Sequence, residues 1–352
     1  MEVELTLKVE SPLHIGSGET YVEMDFIADK RSIKLIDYEK LLEMVEFNKE
    51  VVDKLMKAAE TGEVKNSITE IFGIDRSQIP FSKVIDFIGK EPERSLKIQK
   101  HIQTSGRAYI PGSSIKGFLR TAVLFKFLEE NPDVLIVSLQ KLKKRLSRER
   151  NPFRFRKKAA ELFEKEVFGS TPHKDIFRSL MATDSSFAEN TAVYEVRIIG
   201  NPQTIPLYLE CIPPKEILNC KVQIDESIKE TDGRLKYLTF DYIVESVRHF
   251  TKQIIKEDKT YRNYPADVFR FYSEIEGKDL MRLGHSTGYF SKTIGMLLKN
   301  FDEFEFDFIR RKFGMGRNPR TKRTVRYFPK TRRIAAETKQ PLGWVSFDWQ
   351  VI

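Results

Sequence analysis

The stretch Tyr109-Ile-Pro-Gly-Ser-Ser-Ile-Lys-Gly-Phe-Leu-Arg-Thr-Ala122 constrains the fold most, because it drives a turn straight into a long helix. Pro111 and Gly112 punctuate the turn, and Ser113 or Ser114 is suited to cap the helix. Ile115, Leu119, Ala122 and Val123 then recur at helical spacing until Asn131-Pro132 stops the run. A helix beginning at Ser114 would aim free N–H groups, two hydroxyls and Lys116 at one small volume, with Arg120 one turn further along. That is a physical recipe for holding a phosphate. Gly112 and Gly117 have the spacing of a nucleotide-binding P-loop, but Phe118 and Leu119 occupy the positions where lysine and a hydroxyl residue are required. The alternative is a structural one, in which Gly117 only permits close packing.

The strand before this element is equally legible. Val3, Leu5, Leu7 and Val9 alternate with Glu4, Thr6 and Lys8, the period of a half-buried strand. Ser11-Pro12 ends it, and a loop carrying His14, Gly16, Ser17 and Gly18 follows, its glycines allowing close backbone approach to a ligand. Strands are expected near residues 21–28 and 32–36. Asp37 should then cap a long helix with an apolar stripe through Leu41, Leu42, Val45, Val52, Leu55, Met56 and Ala59, stopped at Gly62. Short helices after Ser67 and Ser82 would complete a helical insertion over about 37–92.

Charge decides the class of partner. Lysine and arginine number 60 against 51 acids, a net charge of +9, which favours a polyanion and above all nucleic acid. Residues 141–158 carry ten cations against the single Glu149, with Phe153 and Phe155 interleaved among arginines, a combination suited to stacking on bases. A solvated helix face is the plainer explanation of such a run. From Phe308 to Ala336 there is no acid at all, giving a second basic segment. Cys211 and Cys220 are too few for a disulfide framework and lack zinc-site spacing, so buried free thiols are expected, with no metal or cofactor. No apolar run approaches the length of a membrane span, and a cytoplasmic location is expected.

Strands are expected over 178–187, 192–199, 204–212 and 220–224, then a helix burying Ile243, Val247, Phe250 and Ile254. The loop Arg282–Thr293 repeats the grammar of the opening stretch, with Gly288, Ser291 and Lys292 ahead of an apolar helix at Ile294. A final strand should bury Val345, Phe347 and Trp349.

In their order, Ser11-Pro-Leu-His-Ile-Gly-Ser-Gly18, Tyr109–Arg120, Val167-Phe-Gly169 and Leu180–Ser185 resemble the RAMP superfamily of CRISPR-Cas proteins. Within it, Asp37–Leu42, Gly288–Thr293 and Gln340–Trp344 resemble the fifth subunit of the type III-A Csm effector complex. The resemblance implies an α+β fold of two ferredoxin-like, RRM-related domains, placed at 1–200, with the helical insertion, and at 201–352. It implies a subunit that binds CRISPR RNA (crRNA), caps the filament at the RNA's 3′ end and supports crRNA maturation. Its implied partners are the repeated backbone subunit, the small helical subunit, the large signalling subunit and a separate nuclease, such as one of the host. Expected RNA contacts are His14, Gly16, Ser17, Gly18, Ser113, Ser114, Lys116, Arg120, Gly288, Ser291 and Lys292.

Two enzymatic alternatives compete. The superfamily also contains a metal-independent endoribonuclease that cuts repeat RNA, for which His14 is the best base among His14, His101, His173, His249 and His285. Asp25 is the candidate for magnesium-dependent cleavage, although it stands alone and alternates like a strand residue. A scaffold whose basic patches meet acidic proteins is the third alternative.

Overall fold

The computed structural model describes residues 2–44, 51–54, 56, 68–90, 96–200, 205–225, 238–318 and 321–352. Two sheets organise them. The first has five antiparallel strands in the order Leu280–Arg282, Trp344–Val351, Glu2–Val9, Ile217–Ile224 and Leu180–Ala182. The alternation seen in the first strand is realised there: Val3, Leu5, Leu7 and Val9 are buried while Glu4 and Lys8 face outward. Their core continues into two long helices, Gly112–Glu130 and Phe240–Lys259. The second of these buries the expected Ile243, Val247, Phe250 and Ile254. In chain order this sheet and its helices run strand, helix, strand, strand, helix, strand, strand.

The second sheet has the order Gly16–Tyr21, Ile98–His101, Leu207–Cys211, Ala192–Ile199, Phe81–Ile88, Ser32–Ile36 and Phe26–Ala28, with Arg332–Ala335 also pairing with Ala192–Ile199. It is mixed, since Ala192–Ile199 runs parallel to Phe81–Ile88 and Leu207–Cys211 parallel to Ile98–His101. Three corrections follow. A boundary near residue 200 does not separate the sheets, because each takes strands from both sides of it. The second sheet does not repeat the strand and helix order of the first. The segment after Ser82 is a strand, not a helix: Ile85 and Phe87 are buried while Val84 and Asp86 are exposed, a period of two.

Asp37 begins a helix as expected, its carboxylate accepting from Lys40 N at 3.2 Å. Within the insertion Leu41, Val51, Ile68, Ile71 and Phe72 form a small separate core. Val45, Leu55 and Ala59 of the expected stripe fall outside the described residues or their helices, and so does most of the helix beyond Met44. Cys211 and Cys220 are buried free thiols. Among the described residues, no helix is long and apolar enough to cross a membrane.

A buried ionic centre ties the two sheets together. Asp258, near the end of the Phe240–Lys259 helix, receives Arg282 Nη1 at 2.6 Å, Arg332 Nε at 2.8 Å and Tyr272 Oη at 2.6 Å. Arg282 belongs to the first sheet and Arg332 to the second. Burial alone would raise the Asp258 pKa, but the two guanidiniums outweigh it and hold the carboxyl below its usual range. Removing this charge would leave two arginines buried without their acid. Asp258→Ala is therefore expected to destabilise the protein by about 3–5 kcal/mol, read from the shift in a urea denaturation curve.

Candidate nucleic-acid interface

The expected phosphate cradle at the start of the Gly112–Glu130 helix is largely filled from within. The helix begins two residues earlier than expected, with Pro111 rather than a serine at the cap and no side-chain cap bond. Gly112 N donates to the Asp184 carboxylate at 2.8 Å, so an acid of this chain already occupies the positive end of the helix dipole. A side chain at 112 would also collide with the Ala182 carbonyl, the built Cβ lying 2.1 Å from it. Lys116 Nζ donates to the Leu180 carbonyl at 2.6 Å. Arg120 is fully engaged: it pairs with Glu164 at 2.8 Å and Asp175 at 2.9 Å and lies over the Phe168 ring at 4.2 Å. Both residues therefore fasten this helix to the segment 164–180. Ser113 remains exposed and Ser114 half-buried.

The two other glycine loops meet each other instead. His285 N donates to the His14 carbonyl at 2.7 Å, Gly343 N to the Pro12 carbonyl at 3.0 Å and Leu283 N to the Gly343 carbonyl at 2.7 Å. This approach requires glycine at 284, where φ is +84° and an added Cβ would sit 2.3 Å from the His14 carbonyl. The seam between the loops holds three imidazoles, with the His14 ring 5.9 Å from both His101 and His285.

The rings of His14 and His101 are fixed by backbone. His14 Nδ1 donates to the Glu210 carbonyl at 2.6 Å, while its buried Nε2 has no hydrogen-bond partner among the described residues and packs beside Gly16. His101 Nδ1 accepts from Ile15 N at 3.2 Å, so Nε2 carries the proton and donates to the Tyr109 carbonyl at 3.1 Å. His14 therefore shapes the loop. Burial lowers its pKa, against the raising effect of the Glu210 carbonyl, and the charge of Lys292 lowers it further.

Cations line the outer side of the seam. Ser286, held at φ +68°, sets its hydroxyl 3.0 Å from His285 Nδ1 and accepts from Arg333 Nη1 at 3.0 Å. Neither Arg333 nor Lys292 has an ion-pair partner among the described residues. Partial burial lowers the Arg333 pKa. Lys292 is lowered by partial burial and then by the charge of Arg333. Two neighbouring cations without a carboxylate form a site of positive potential that favours an anion. Enclosure, Arg333, Lys292 and His14 together push the His285 pKa down to about 4.

The other expected contacts divide. Gly288 is exposed at φ +94° with open space around its Cα, and Gly16 and Gly18 are exposed on an edge strand rather than in a loop. Ser17 Oγ donates to the Lys100 carbonyl at 3.2 Å. Ser291 is buried and its hydroxyl bonds to the Thr287 carbonyl, which removes it from the surface. Arg333 stood unremarked within the basic segment, and Ser286 within its loop; the alternation of the strand Arg332–Ala335 is the signal that separates Arg333 from the buried Arg332. The first basic run is partly neutralised, with Lys141 on Glu166 and Lys143 on Glu305. Asp25 lies in a turn, not a strand, and its carboxylate accepts from Val22 N at 2.7 Å. No group of three or more His, Cys, Asp or Glu among the described residues could hold a metal ion.

The pKa of His101 is pushed down to about 4, chiefly by burial, opposed by its Tyr109 bond. The unfolded chain, with His near 6.5, then binds more protons than the folded one between these values. The contribution is fully present above about pH 6.5 and is lost as pH falls toward 4, a change of at most roughly 3 kcal/mol. Thermal midpoints measured across that window should fall with acid, and His101→Gln should flatten the fall.

A family model of the RAMP superfamily matches residues 6–331. The chain is 26% identical over 332 residues to the CRISPR system Cms protein Csm5 of Methanocaldococcus jannaschii, covering 86% of this chain and 75% of that protein. It is 23% identical over 287 residues to Csm5 of Streptococcus thermophilus, covering 74% and 76%. Its structure superposes with a TM-score of 0.78 on a chain of a cryo-EM Csm–crRNA–target RNA ternary complex of a type III-A CRISPR-Cas system, at 28% identity and covering 98% of this chain and 100% of that one. Against the crystal structure of T. onnurineus Csm5 the TM-score is 0.72 at 27% identity, covering 97% and 99%. The order of motifs along the sequence, the match over residues 6–331 and the shared fold agree that this chain belongs to the RAMP superfamily.

Proposed function

We propose that this chain is a non-catalytic crRNA-binding subunit of a type III-A Csm effector complex, holding the 3′ end of the crRNA filament and supporting crRNA maturation in antiviral defence. The observation that carries the reading is the pair Lys292 and Arg333. Among the described residues these cations have no carboxylate partner, and we read the open backbone at Gly288 in its loop and at Gly18 on the edge strand as room for a phosphodiester chain. His14 positions the seam and Lys292 lines it; Ser17, on the exposed edge strand, is a further proposed contact, and Ser113, at the start of the Gly112–Glu130 helix, lies outside this account. Lys116, Arg120 and Ser291 take structural roles in this account. The likeness to a chain of a Csm–crRNA–target RNA complex supports the same partner class, crRNA and other Csm subunits; in this reading those subunits are the repeated backbone subunit and the small helical subunit, a separate nuclease trims the crRNA, and the assembly works in the cytoplasm. The first six elements of the first sheet, strand, helix, strand, strand, helix, strand, suit a ferredoxin-like, RRM-related core, to which Trp344–Val351 adds a fifth strand. Cleavage is not assigned, because the His14 and His101 rings each hold loop backbone rather than facing an acid or base partner.

Lys292→Glu with Arg333→Glu is expected to weaken single-stranded RNA binding at least roughly tenfold and to reduce the salt slope by about 1.4, the share of two phosphate contacts. Fluorescence anisotropy across a salt series reads both. Unchanged affinity and slope would remove the seam from the interface.

A further inference from the structure

A second cationic surface lies on the other side of the segment that presents Arg333. The end of the Phe240–Lys259 helix and the following turn face residues Arg326–Lys330 across a cavity of ≈ 630 Å³. Tyr261, Arg262 and Asn263 line one wall, and Arg326, Tyr327 and Lys330 the other. The backbone of the second wall is fastened from inside. Arg310 Nη2 donates to the Val325 carbonyl at 3.0 Å, Arg332 Nη1 to the Pro329 carbonyl at 3.0 Å and Tyr261 Oη to the Lys330 carbonyl at 2.8 Å. These groups and Phe328, which packs against the core, hold the segment from inside while Arg326, Tyr327 and Lys330 are exposed. Tyr327 is 77% exposed, far more than an aromatic ring with a packing role, and the Arg326 guanidinium stands 5.8 Å from its centre.

Charge points to the occupant. Of the acids around the cavity, Glu257 is paired with Lys299 at 3.0 Å, and Asp307 with Arg310 and Arg311, leaving Glu303. Arg262, Arg326 and Lys330 have no ion pair among the described residues. A surplus of cations around an exposed ring matches a phosphate attached to a planar base. An acidic peptide would satisfy the cations but would leave the ring without a planar partner.

We infer that this cavity is a nucleotide pocket for the same single-stranded RNA that the seam holds. One base stacks on Tyr327, and the flanking phosphate lies against Arg326 and Lys330. The inference rests on the RNA-binding reading given above, and it extends the contact along the chain from Arg333 to Arg326, so that one strand of RNA engages both surfaces.

The test compares the full-length protein with Tyr327→Ala, with Arg326→Glu plus Lys330→Glu, and with Lys292→Glu plus Arg333→Glu. Each is titrated into a fluorescein-labelled single-stranded RNA. All altered side chains are at least partly exposed, and thermal melting verifies that each variant folds. Tyr327→Ala should weaken binding roughly tenfold, the loss of one stacked base, with little change in the salt slope. Arg326→Glu plus Lys330→Glu should weaken binding and also reduce the slope. If only the seam variant loses affinity, the pocket is overturned while the RNA-binding reading stands, and the surface is left to a protein partner. If the unaltered protein does not bind the RNA, both are overturned.

Discussion

The carboxylate of Asp258 is the interaction on which the arrangement of this molecule depends. It is buried, it is charged, and its partners come from both sheets: Arg282 from the five-stranded sheet and Arg332 from the strand beside Ala192–Ile199. Each guanidinium also lies against an aromatic ring, Arg282 at 5.1 Å from Trp344 and Arg332 at 4.8 Å from Tyr261. A buried ion pair contributes little net stability compared with apolar packing, but it is intolerant of the wrong geometry. Its effect here is to fix how the two sheets meet. The glycine loops come together along that junction.

The junction also explains where positive charge is left over. Successive side chains of a strand point to opposite sides, so when Arg332 turns inward to Asp258, Arg333 must turn outward toward Ser286. The buried arginine is neutralised by an acid of the same chain, and its exposed neighbour is not. Arg310 repeats the division further back, paired with Asp307 and holding the Val325 and Arg326 carbonyls, while Arg326 itself has no acid partner among the described residues. Buried cations of the acid-free segment therefore brace its backbone. The unpaired ones form the surface offered to an anion.

Local patterns in the sequence were sufficient for much of the fold. The alternation in Glu2–Val9 and the helical stripe from Ile243 to Ile254 both depend on neighbours within a few residues, and each stands where the pattern puts it. The function of the Gly112 helix start was not legible in the same way. Its glycines and hydroxyls suit a phosphate, but Asp184 lies 72 residues away in sequence and Glu164 lies 44 residues from Arg120, and only the fold brings those acids onto the expected site. The His14 loop and Lys292 were legible as polar, glycine-bearing elements. Their meeting, with Arg333 held on Ser286 of the second loop, depends on contacts across more than 250 residues of sequence, such as that of His285 N with the His14 carbonyl.

The central claim is that RNA is gripped along the seam and the segment beyond it, not at the start of the Gly112–Glu130 helix. Amide hydrogen exchange of the full-length protein, with and without single-stranded RNA, tests this most directly. The account predicts slowed exchange in residues 284–293 and 326–335, with the amides after Pro111 unchanged because Asp184 already holds the first of them. Protection concentrated at residues 112–120, with none in the 284–293 loop, would contradict it.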